Sequence, residues 1–146
     1  MSPEKVVEGV FFLTGKDFTN AGAAATELKA ILGKMGIDHS IVRRATIAAF
    51  EAEINVIVYA TAGMMRYEIA HDHIKIVVKD VGPGIEDLEL AMTEGYSTAT
   101  DYIREMGFGS GMGLPNIKKN TDELKISSEP GIGTTLKYII NIKKEQ

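Results

Sequence analysis

Cysteine is absent from all 146 residues of the sequence. This absence excludes disulfide bonds, thiolate metal sites and cysteine nucleophiles, and it fits a reducing compartment. Long apolar runs are also lacking, because no stretch approaches the roughly 20 residues that a membrane-spanning helix needs. Residues 1–5 are not followed by the long apolar stretch of a signal peptide. We therefore expect a cytoplasmic protein that does not associate with membranes.

An excess of positive charge is lacking as well, since 16 basic and 20 acidic residues give a net charge of −4. This balance argues against a protein built to bind nucleic acid or an anionic membrane. The apolar fraction of 45% and the charged fraction of 25% are those of an ordinary globular protein. Because no internal repeat or low-complexity linker is present, we expect residues 1–146 to form one domain with its own core.

Glycine, by contrast, occupies every second position from Gly107 to Gly113. Such a run cannot be a packed strand or a helix interior, because each glycine costs backbone entropy there. Pro115 follows where the first turn of a helix tolerates proline. The free N–H groups and the dipole of a helix N-terminus favour an anion. The run therefore predicts a phosphate-binding loop, and the alternative is a flexible surface loop.

The first third of the chain predicts one strand and two helices. The strand covers residues 6–14, and the first helix covers residues 18–35 with Asp17 as its N-cap. The second helix covers about residues 38–60 and is apolar at nearly every position after residue 44. We therefore expect the second helix to be central and buried on most sides.

Two polar residues of the second helix, Glu51 and Asn55, are four positions apart and therefore share one helix face. Carboxylates are rarely buried without a partner. One interpretation is that both residues lie at the exposed edge of the helix, and the spacing alone favours it. The other interpretation is that they line a site that holds a metal or a reacting group.

Residues 64–70 and 74–80 predict a β-hairpin, and the second strand ends at Asp80. By the two-residue period of a strand, Asp80 shares its face with three apolar residues, namely Ile74, Ile76 and Val78. Residues 82–84 (Gly-Pro-Gly) then form a turn that a ligand can approach. An acceptor carboxylate at the mouth of an apolar slot suits a flat ligand with an outward N–H donor, such as adenine. The alternative is an aspartate that only caps the turn.

The second half of the chain alternates short elements with loops. Residues 85–94 predict a short helix, and residues 95–106 predict a polar loop of the length that often forms a functional lid. A helix over residues 114–120 follows the glycine run. Residues 124–128 and 134–142 predict two strands joined by a glycine hairpin.

This order of elements predicts an α/β two-layer sandwich, in which a mixed, mostly antiparallel sheet carries helices on one face and a mobile lid. A Rossmann fold is excluded because the glycine run follows a polar loop instead of a strand. A P-loop is excluded because no Gly-Lys-Ser/Thr sequence ends the run.

Four separated segments resemble the nucleotide-binding boxes of the GHKL (Bergerat-fold) ATPases, a superfamily that includes histidine kinases and DNA gyrase. Glu51 and Asn55 resemble its N box, residues 80–84 its first glycine box, residues 107–113 its second and residues 131–134 its third. Each segment is weak evidence alone, but the four in this order are specific. A chain of this length resembles the anti-sigma-factor serine/threonine kinases and the switch kinases of the stressosome.

The resemblance implies a role for each matching residue. Glu51 would be the general base, Asn55 would hold Mg²⁺, and the Asp80 carboxylate would accept the adenine amino group. The remaining residues implied to contact ATP are Gly82, Gly84, Ser110, Gly111, Met112, Gly113, Leu114 and Thr134.

The implied activity is that of an ATP-dependent protein serine/threonine kinase acting on a small anti-anti-sigma (STAS-domain) protein in a partner-switching pathway. The alternative is an anti-sigma factor or another nucleotide-gated module, in which ATP sets partner affinity and phosphorylation is secondary. The presence of Glu51 favours catalysis, because a nucleotide sensor needs no base. A sigma factor remains a possible partner, and monomer and homodimer both remain open.

Overall fold

The computed structural model describes residues 6–101, 103 and 112–142. The described elements are, in chain order, β1 (Val7–Thr14), a 3₁₀ turn (Phe18–Asn20), α1 (Ala23–Lys34), α2 (His39–Tyr59), β2 (Ala62–Ile69), β3 (His73–Val81), α3 (Leu88–Ala91), α4 (Gly113–Lys119), β4 (Glu123–Glu129) and β5 (Gly133–Asn141).

The five strands form one sheet in the order β1-β2-β3-β5-β4. Each of the four pairings in the described chain is antiparallel, so the sheet has no parallel pair there and is not mixed. The register places Val78 opposite Met65 on one side and Leu136 on the other. All three are buried, whereas the next row, with Arg66 and Lys137, lies on the other face of the sheet. The predicted two-layer α/β sandwich is thereby confirmed.

Helix α2 is the centre of the helical layer, as its apolar sequence predicts. Eleven of its 21 residues are buried, and it packs against α1, α4 and the sheet. The fully buried Tyr138 of β5 joins the two layers, because its hydroxyl donates a hydrogen bond of 3.1 Å to the carbonyl of Ala45. The helix therefore provides a rigid support for any side chain that it carries towards the sheet. Among the described residues, no helix is both long enough and apolar enough to cross a membrane.

Helix α1 begins five residues later than the sequence predicts. Residues 18–20 form a 3₁₀ turn, and the left-handed backbone of Gly22 (φ 94°) separates this turn from the helix. The Asp17 carboxylate accepts hydrogen bonds from the Asn20 side chain and does not cap the helix. The prediction of a helix from residue 18 with Asp17 as N-cap is therefore wrong.

Helix α3 is also shorter than predicted, with four residues in place of residues 85–94. Two contacts to the β4–β5 hairpin keep the preceding segment out of the helix. The Pro83 carbonyl accepts from the Gly131 N–H at 2.7 Å, and the Ile85 N–H donates to the Ser128 hydroxyl at 2.7 Å. The Asp87 side chain then caps α3 by accepting from the Leu90 N–H.

Candidate functional site

One large pocket, with a volume of about 470 Å³, opens beside α2 at the end of β3. This volume lies within the usual range for small-molecule sites. Its walls come from α2, β3, the turn after β3, the start of α4 and β5. The residues that line it include Glu51, Asn55, Tyr59, Val78, Asp80, Gly84, Glu86, Gly113, Leu114, Thr134 and Leu136.

At one side of the pocket, α2 meets the N-terminus of α4. A Cβ atom on Gly113 would lie 3.0 Å from Asn55 Oδ1 and 3.3 Å from Glu51 Oε2. Glycine therefore lets the backbone at the start of α4 approach both side chains closely. Glu51 and Asn55 are half-buried. They therefore do not lie at an exposed helix edge, which is the interpretation that their spacing alone favours.

The Glu51 carboxyl is in an environment that favours its neutral form. Burial raises the pKa of Glu51, and a hydrogen bond from the Asn116 side chain on α4 lowers it in part. A raised pKa makes a carboxylate a better proton acceptor than an exposed one. The position and the electrostatics of Glu51 therefore suit a general base.

On the sheet side of the pocket, the half-buried Asp80 faces an apolar wall. Its Oδ1 atom accepts a 3.0 Å hydrogen bond from the Thr134 N–H, and its other oxygen remains available as an acceptor. Burial raises the pKa of Asp80, while the hydrogen bond from Thr134 lowers it in part. Val78 and Leu136 supply neighbouring apolar surface. This end of the pocket can hold a flat apolar group that carries an N–H donor.

The turn after β3 is held by the β4–β5 hairpin. Gly84 adopts a left-handed conformation (φ 73°), and a Cβ atom there would collide with the Glu129 carbonyl. The Gly82 N–H donates to the Ile132 carbonyl at 3.1 Å, and Gly82 packs against Ala60. The glycines at 82 and 84 therefore allow protein segments to approach each other, and of the two only Gly84 lines the pocket.

The described start of the predicted lid packs against α2. The Ser97 hydroxyl makes a 3.1 Å hydrogen bond with the Tyr59 hydroxyl and accepts from the Ala99 N–H at 3.0 Å. Ala99 and Ile103 are buried in a small cluster with Ile54 and Val58 of α2. The mobility of the lid stays a prediction.

The second glycine box is only partly described. Ser110 and Gly111 lie outside the described residues. Met112 is the N-cap residue of α4 and does not line the pocket, whereas Gly113 does. Leu114 is largely buried and lines the pocket wall. The predicted phosphate loop is thus described only from residue 112, where it enters the helix.

The side chains beside Gly113 carry donor atoms that suit Mg²⁺. Glu51 and Asn55 offer oxygen atoms, which Mg²⁺ prefers, and Mg²⁺ usually takes one or two protein ligands together with phosphate oxygens and waters. In the described part of the chain, no group of three or more His, Asp or Glu side chains could hold a metal. The residues therefore fit a cation that shares its coordination with a bound phosphate, and they do not form a complete protein cage.

Two residues that organise this region have no assigned role in the sequence prediction. Glu53 of α2 is 1% exposed and accepts three backbone N–H bonds at the start of α1. Ser128 of β4 bonds to both segments that meet at Asp80. A carboxylate inside an apolar helix is a signal that could have pointed to Glu53, whereas Ser128 has no comparable signal.

The fold and the pocket define a class of protein, the Bergerat-type ATPases. The chain matches the histidine kinase-like ATPase domain family over residues 16–140, and it belongs to that family. The predicted resemblance to the GHKL superfamily is therefore confirmed.

Named relatives confirm the predicted anti-sigma and switch-kinase branch of this superfamily. The chain is 35% identical over 100 residues to the serine/threonine-protein kinase RsbT of Bacillus subtilis (strain 168), covering 66% of this chain and 69% of RsbT. It is 33% identical over 111 residues to the anti-sigma F factor of Shouchella clausii (strain KSM-K16), covering 76% of this chain and 65% of the relative. The anti-sigma F factor of Caldanaerobacter subterraneus subsp. tengcongensis (strain DSM 15242 / JCM 11007 / NBRC 100824 / MB4) is 36% identical over 96 residues, covering 64% of this chain and 59% of the relative.

Proposed function

We propose that this chain is an ATP-dependent serine/threonine kinase that phosphorylates a small STAS-domain protein in a cytoplasmic partner-switching pathway. Its membership of the histidine kinase-like ATPase family supports the use of ATP. Its similarity to a protein named serine/threonine-protein kinase RsbT supports transfer to a hydroxyl group of a protein. The similarity to anti-sigma F factors supports a regulatory partner.

The observation that carries this proposal is that one pocket joins two chemically different ends. At the sheet end, Asp80 offers an acceptor beside apolar wall residues, which suits the adenine ring and its amino group. At the helix end, Glu51 and Asn55 lie against the start of α4 at Gly113. ATP has the same polarity, because its apolar base and its charged phosphates lie at opposite ends.

Glu51 is the proposed general base. Its carboxylate would accept the proton of a serine or threonine hydroxyl while the hydroxyl oxygen bonds to the γ-phosphorus and ADP leaves. Burial raises the pKa of Glu51 towards the range in which a carboxylate takes up a proton readily. Asn116 would hold the carboxylate and keep part of it ionised.

Asn55 and the start of α4 would hold the phosphate end. The Asn55 amide oxygen would contribute one ligand to Mg²⁺, and the bound cation would neutralise phosphate charge during transfer. Backbone N–H groups near Met112, Gly113 and Leu114, together with those predicted at residues 110 and 111, would face the phosphates. A helix of seven residues gives this arrangement little dipole of its own, so we assign the recognition mainly to the N–H groups.

A second candidate function is that of an ATP-dependent anti-sigma factor, which the relatives named anti-sigma F factor favour. The two functions are compatible within one protein. A variant without the base separates the two functions, because Glu51→Ala should slow phosphoryl transfer at least about a hundredfold and leave ATP-dependent partner binding intact.

Calorimetric titration with Mg·ATP and Mg·ADP tests the proposal at its first step. We expect the wild-type protein to bind both nucleotides and the Asp80→Asn variant to lose at least about tenfold in affinity, since its amide presents an NH₂ group to the adenine amino group. Glu86→Gln is the matched control, because Glu86 is an exposed carboxylate that also lines the pocket. The absence of binding to the wild type would refute the nucleotide site and the kinase together.

A further inference from the structure

Helix α2 leaves one stripe of its surface open to solvent, although α1 and α4 pack against it. Eleven of its 21 residues are buried, and the exposed residues after its first turn are Arg43 and Phe50. Ile47, which lies between them, is half-buried. Residues at spacings of four and three share one face of a helix. Arg43, Ile47 and Phe50 therefore form a continuous surface, which we call the α2 stripe.

The α2 stripe ends beside the proposed general base. Phe50 directly precedes Glu51, and Ile47 lies about one helical turn before Glu51. Glu51 lines the pocket, whereas the residues of the α2 stripe are not among its lining residues. Because a nucleotide in the pocket occupies one side of Glu51, a protein that brings a hydroxyl group to Glu51 approaches from the solvent side. A protein interface is much wider than one side chain, so such a protein also covers the α2 stripe.

The ring of Phe50 is held in position at this surface. A Cβ atom on the buried Gly22 would lie 3.2 Å from the Cε1 atom of Phe50, so the ring rests against the backbone there. The Gly22 N–H in turn donates a 3.0 Å hydrogen bond to the Glu53 carboxylate. Even so, 39% of Phe50 is exposed. An aromatic side chain that is already ordered loses little freedom on binding, and aromatic residues are enriched in interfaces.

A single exposed apolar side chain is common on protein surfaces and needs no function. Phe12 of β1 is an example in this chain, since it is 80% exposed and far from the pocket lining. Phe50 differs from Phe12 in two respects, because it continues into the half-buried Ile47 and it adjoins Glu51. The location of Phe50, more than its exposure, therefore points to a role in binding.

Arg43 adds a positive charge at the far end of the α2 stripe. It is exposed and lies seven residues before Phe50, which is about 10 Å along the helix axis. The adjacent Arg44 is instead bound to Asp122 at 3.0 Å. An exposed arginine favours a carboxylate on a partner. The surface complementary to the α2 stripe thus carries an apolar side chain and, about 10 Å from it, a carboxylate.

We propose that the α2 stripe is the docking surface for the protein acceptor of the phosphoryl group. The acceptor presents its serine or threonine hydroxyl to Glu51, an adjacent apolar side chain to Phe50 and Ile47, and a carboxylate to Arg43. The inference rests on the proposed function, because it requires that Glu51 receives a hydroxyl group from a STAS-domain protein. It assigns acceptor selection to residues that do not line the ATP pocket.

The test uses the full chain with Mg·ATP, and its probes are the purified STAS-domain proteins of the same organism. The STAS-domain protein that the wild type labels with γ-phosphate serves as the acceptor for kinetics. We expect Phe50→Ala to raise KM for this acceptor at least about tenfold, because an ordered apolar contact is lost. Its kcat and its calorimetric affinity for Mg·ATP should stay within about twofold of the wild type, since only acceptor binding is weakened.

The charge at Arg43 gives a second, independent readout. Arg43→Glu should raise KM for the acceptor by about three- to tenfold at low salt, and the effect should shrink at about 0.5 M salt, where exposed charges are screened. Arg43→Lys keeps the positive charge and should retain most of the acceptor affinity.

Matched controls make the same kinds of substitution on the other side of the molecule. Phe12 and Arg66 lie on the face of the sheet that points away from the helices, and both are exposed. Phe12→Ala and Arg66→Glu should keep the wild-type KM. Phe50→Leu retains an apolar side chain and should lose less affinity than Phe50→Ala. Circular dichroism of each variant confirms that the chain is folded.

The outcomes separate the two proposals. If the wild type labels a STAS-domain protein but Phe50→Ala and Arg43→Glu raise KM no more than the controls do, the docking surface is refuted and the kinase stands. A loss of ATP affinity in Phe50→Ala as large as its loss of acceptor affinity would also refute it, because the residue would then support the pocket itself. If the wild type binds no ATP or labels no STAS-domain protein, the proposed function is refuted and the docking surface with it.

Discussion

Glu51 and Glu53 are two positions apart on α2, and their side chains have different surroundings. Each residue advances the helix by about 100°, so the two carboxylates point in nearly opposite directions. Glu53 is buried, and three backbone N–H groups occupy its oxygen atoms. Glu51 faces the pocket with only the Asn116 side chain as a hydrogen-bond partner that affects its pKa. Of these two carboxylates, only Glu51 is placed to take a proton from a ligand.

Replacement of Glu51 by alanine should separate binding from catalysis. We expect Glu51→Ala to bind Mg·ATP almost as the wild type does and to transfer phosphate at least about a hundredfold more slowly, because the general base is removed. The measurement is transfer of labelled γ-phosphate to a STAS-domain acceptor. Glu86→Gln, which changes an exposed carboxylate of the same pocket, should keep the wild-type rate. An unchanged rate for Glu51→Ala would show that its assigned role is wrong.

The sequence predicts some residues of the site better than others. The position of Asp80 could be predicted, because the two-residue period of a strand places it beyond three buried residues. The structure shows this arrangement. For Glu53 the sequence shows only a carboxylate within an apolar helix and does not identify its partners, because these are 28 to 31 positions away and only the packing of α1 on α2 brings them together. The hydrogen bonds of Ser128 likewise depend on where the β4–β5 hairpin docks.

At the scale of elements, the start of α1 depends on a side chain from another helix. The first N–H groups of a helix have no partner within it, and they need an acceptor. The sequence offers Asp17 as a local N-cap, but the structure uses Glu53, which bonds to Gly22, Ala24 and Ala25 at 3.0, 3.2 and 2.9 Å. The error in the predicted start of α1 therefore arises because a tertiary contact replaces a local cap.

Removal of the Glu53 carboxylate should destabilise the contact between α1 and α2. We expect Glu53→Ala to lower the free energy of unfolding by about 2–4 kcal/mol, because it leaves buried N–H groups without an acceptor. Urea denaturation followed by circular dichroism measures the change. Glu27→Ala, an exposed carboxylate on α1, is the control and should stay within about 0.5 kcal/mol of the wild type. If Glu53→Ala also lowered the free energy of unfolding by no more than about 0.5 kcal/mol, the capping role would be contradicted.

At the scale of the whole molecule, the order and type of the elements were predictable because long periodic segments determine them. The apolar helix α2, the hairpin of β2 and β3, and the strands β4 and β5 agree with prediction to within two residues at each end. The length of the short helix α3 was not predictable, because contacts to a distant hairpin fix residues 83 and 85. The periodic sequence pattern thus predicts the helices and strands of the two layers. Long-range hydrogen bonds determine where the elements beside the pocket end.

The pocket as a whole links the stability of the protein to pH. Burial raises the pKa of both Glu51 and Asp80, so the folded state binds protons more tightly at these groups than the unfolded chain does. Their contribution to stability is complete below the usual carboxyl pKa near 4 and is lost as the pH rises through the raised values. Asp38 and Asp72, whose pKa values are lowered at the surface, change stability in the opposite direction.

The nucleotide-free protein and the ATP complex should therefore respond to acid in opposite ways. As the pH falls from neutral towards about 4, the stability of the wild type should rise relative to that of the Glu51→Gln/Asp80→Asn variant, whose two neutral side chains do not titrate. Over the same range ATP affinity should fall, because a protonated Asp80 is a poorer acceptor for the adenine amino group. Thermal unfolding without nucleotide and calorimetric titration with ATP measure the two trends.

The comparison with the double variant cancels the titration of Asp38 and Asp72, which both proteins share. A stability difference that does not change with pH would show that burial at the pocket does not perturb these carboxyls, and the electrostatic argument for Glu51 as the base would then fail with it.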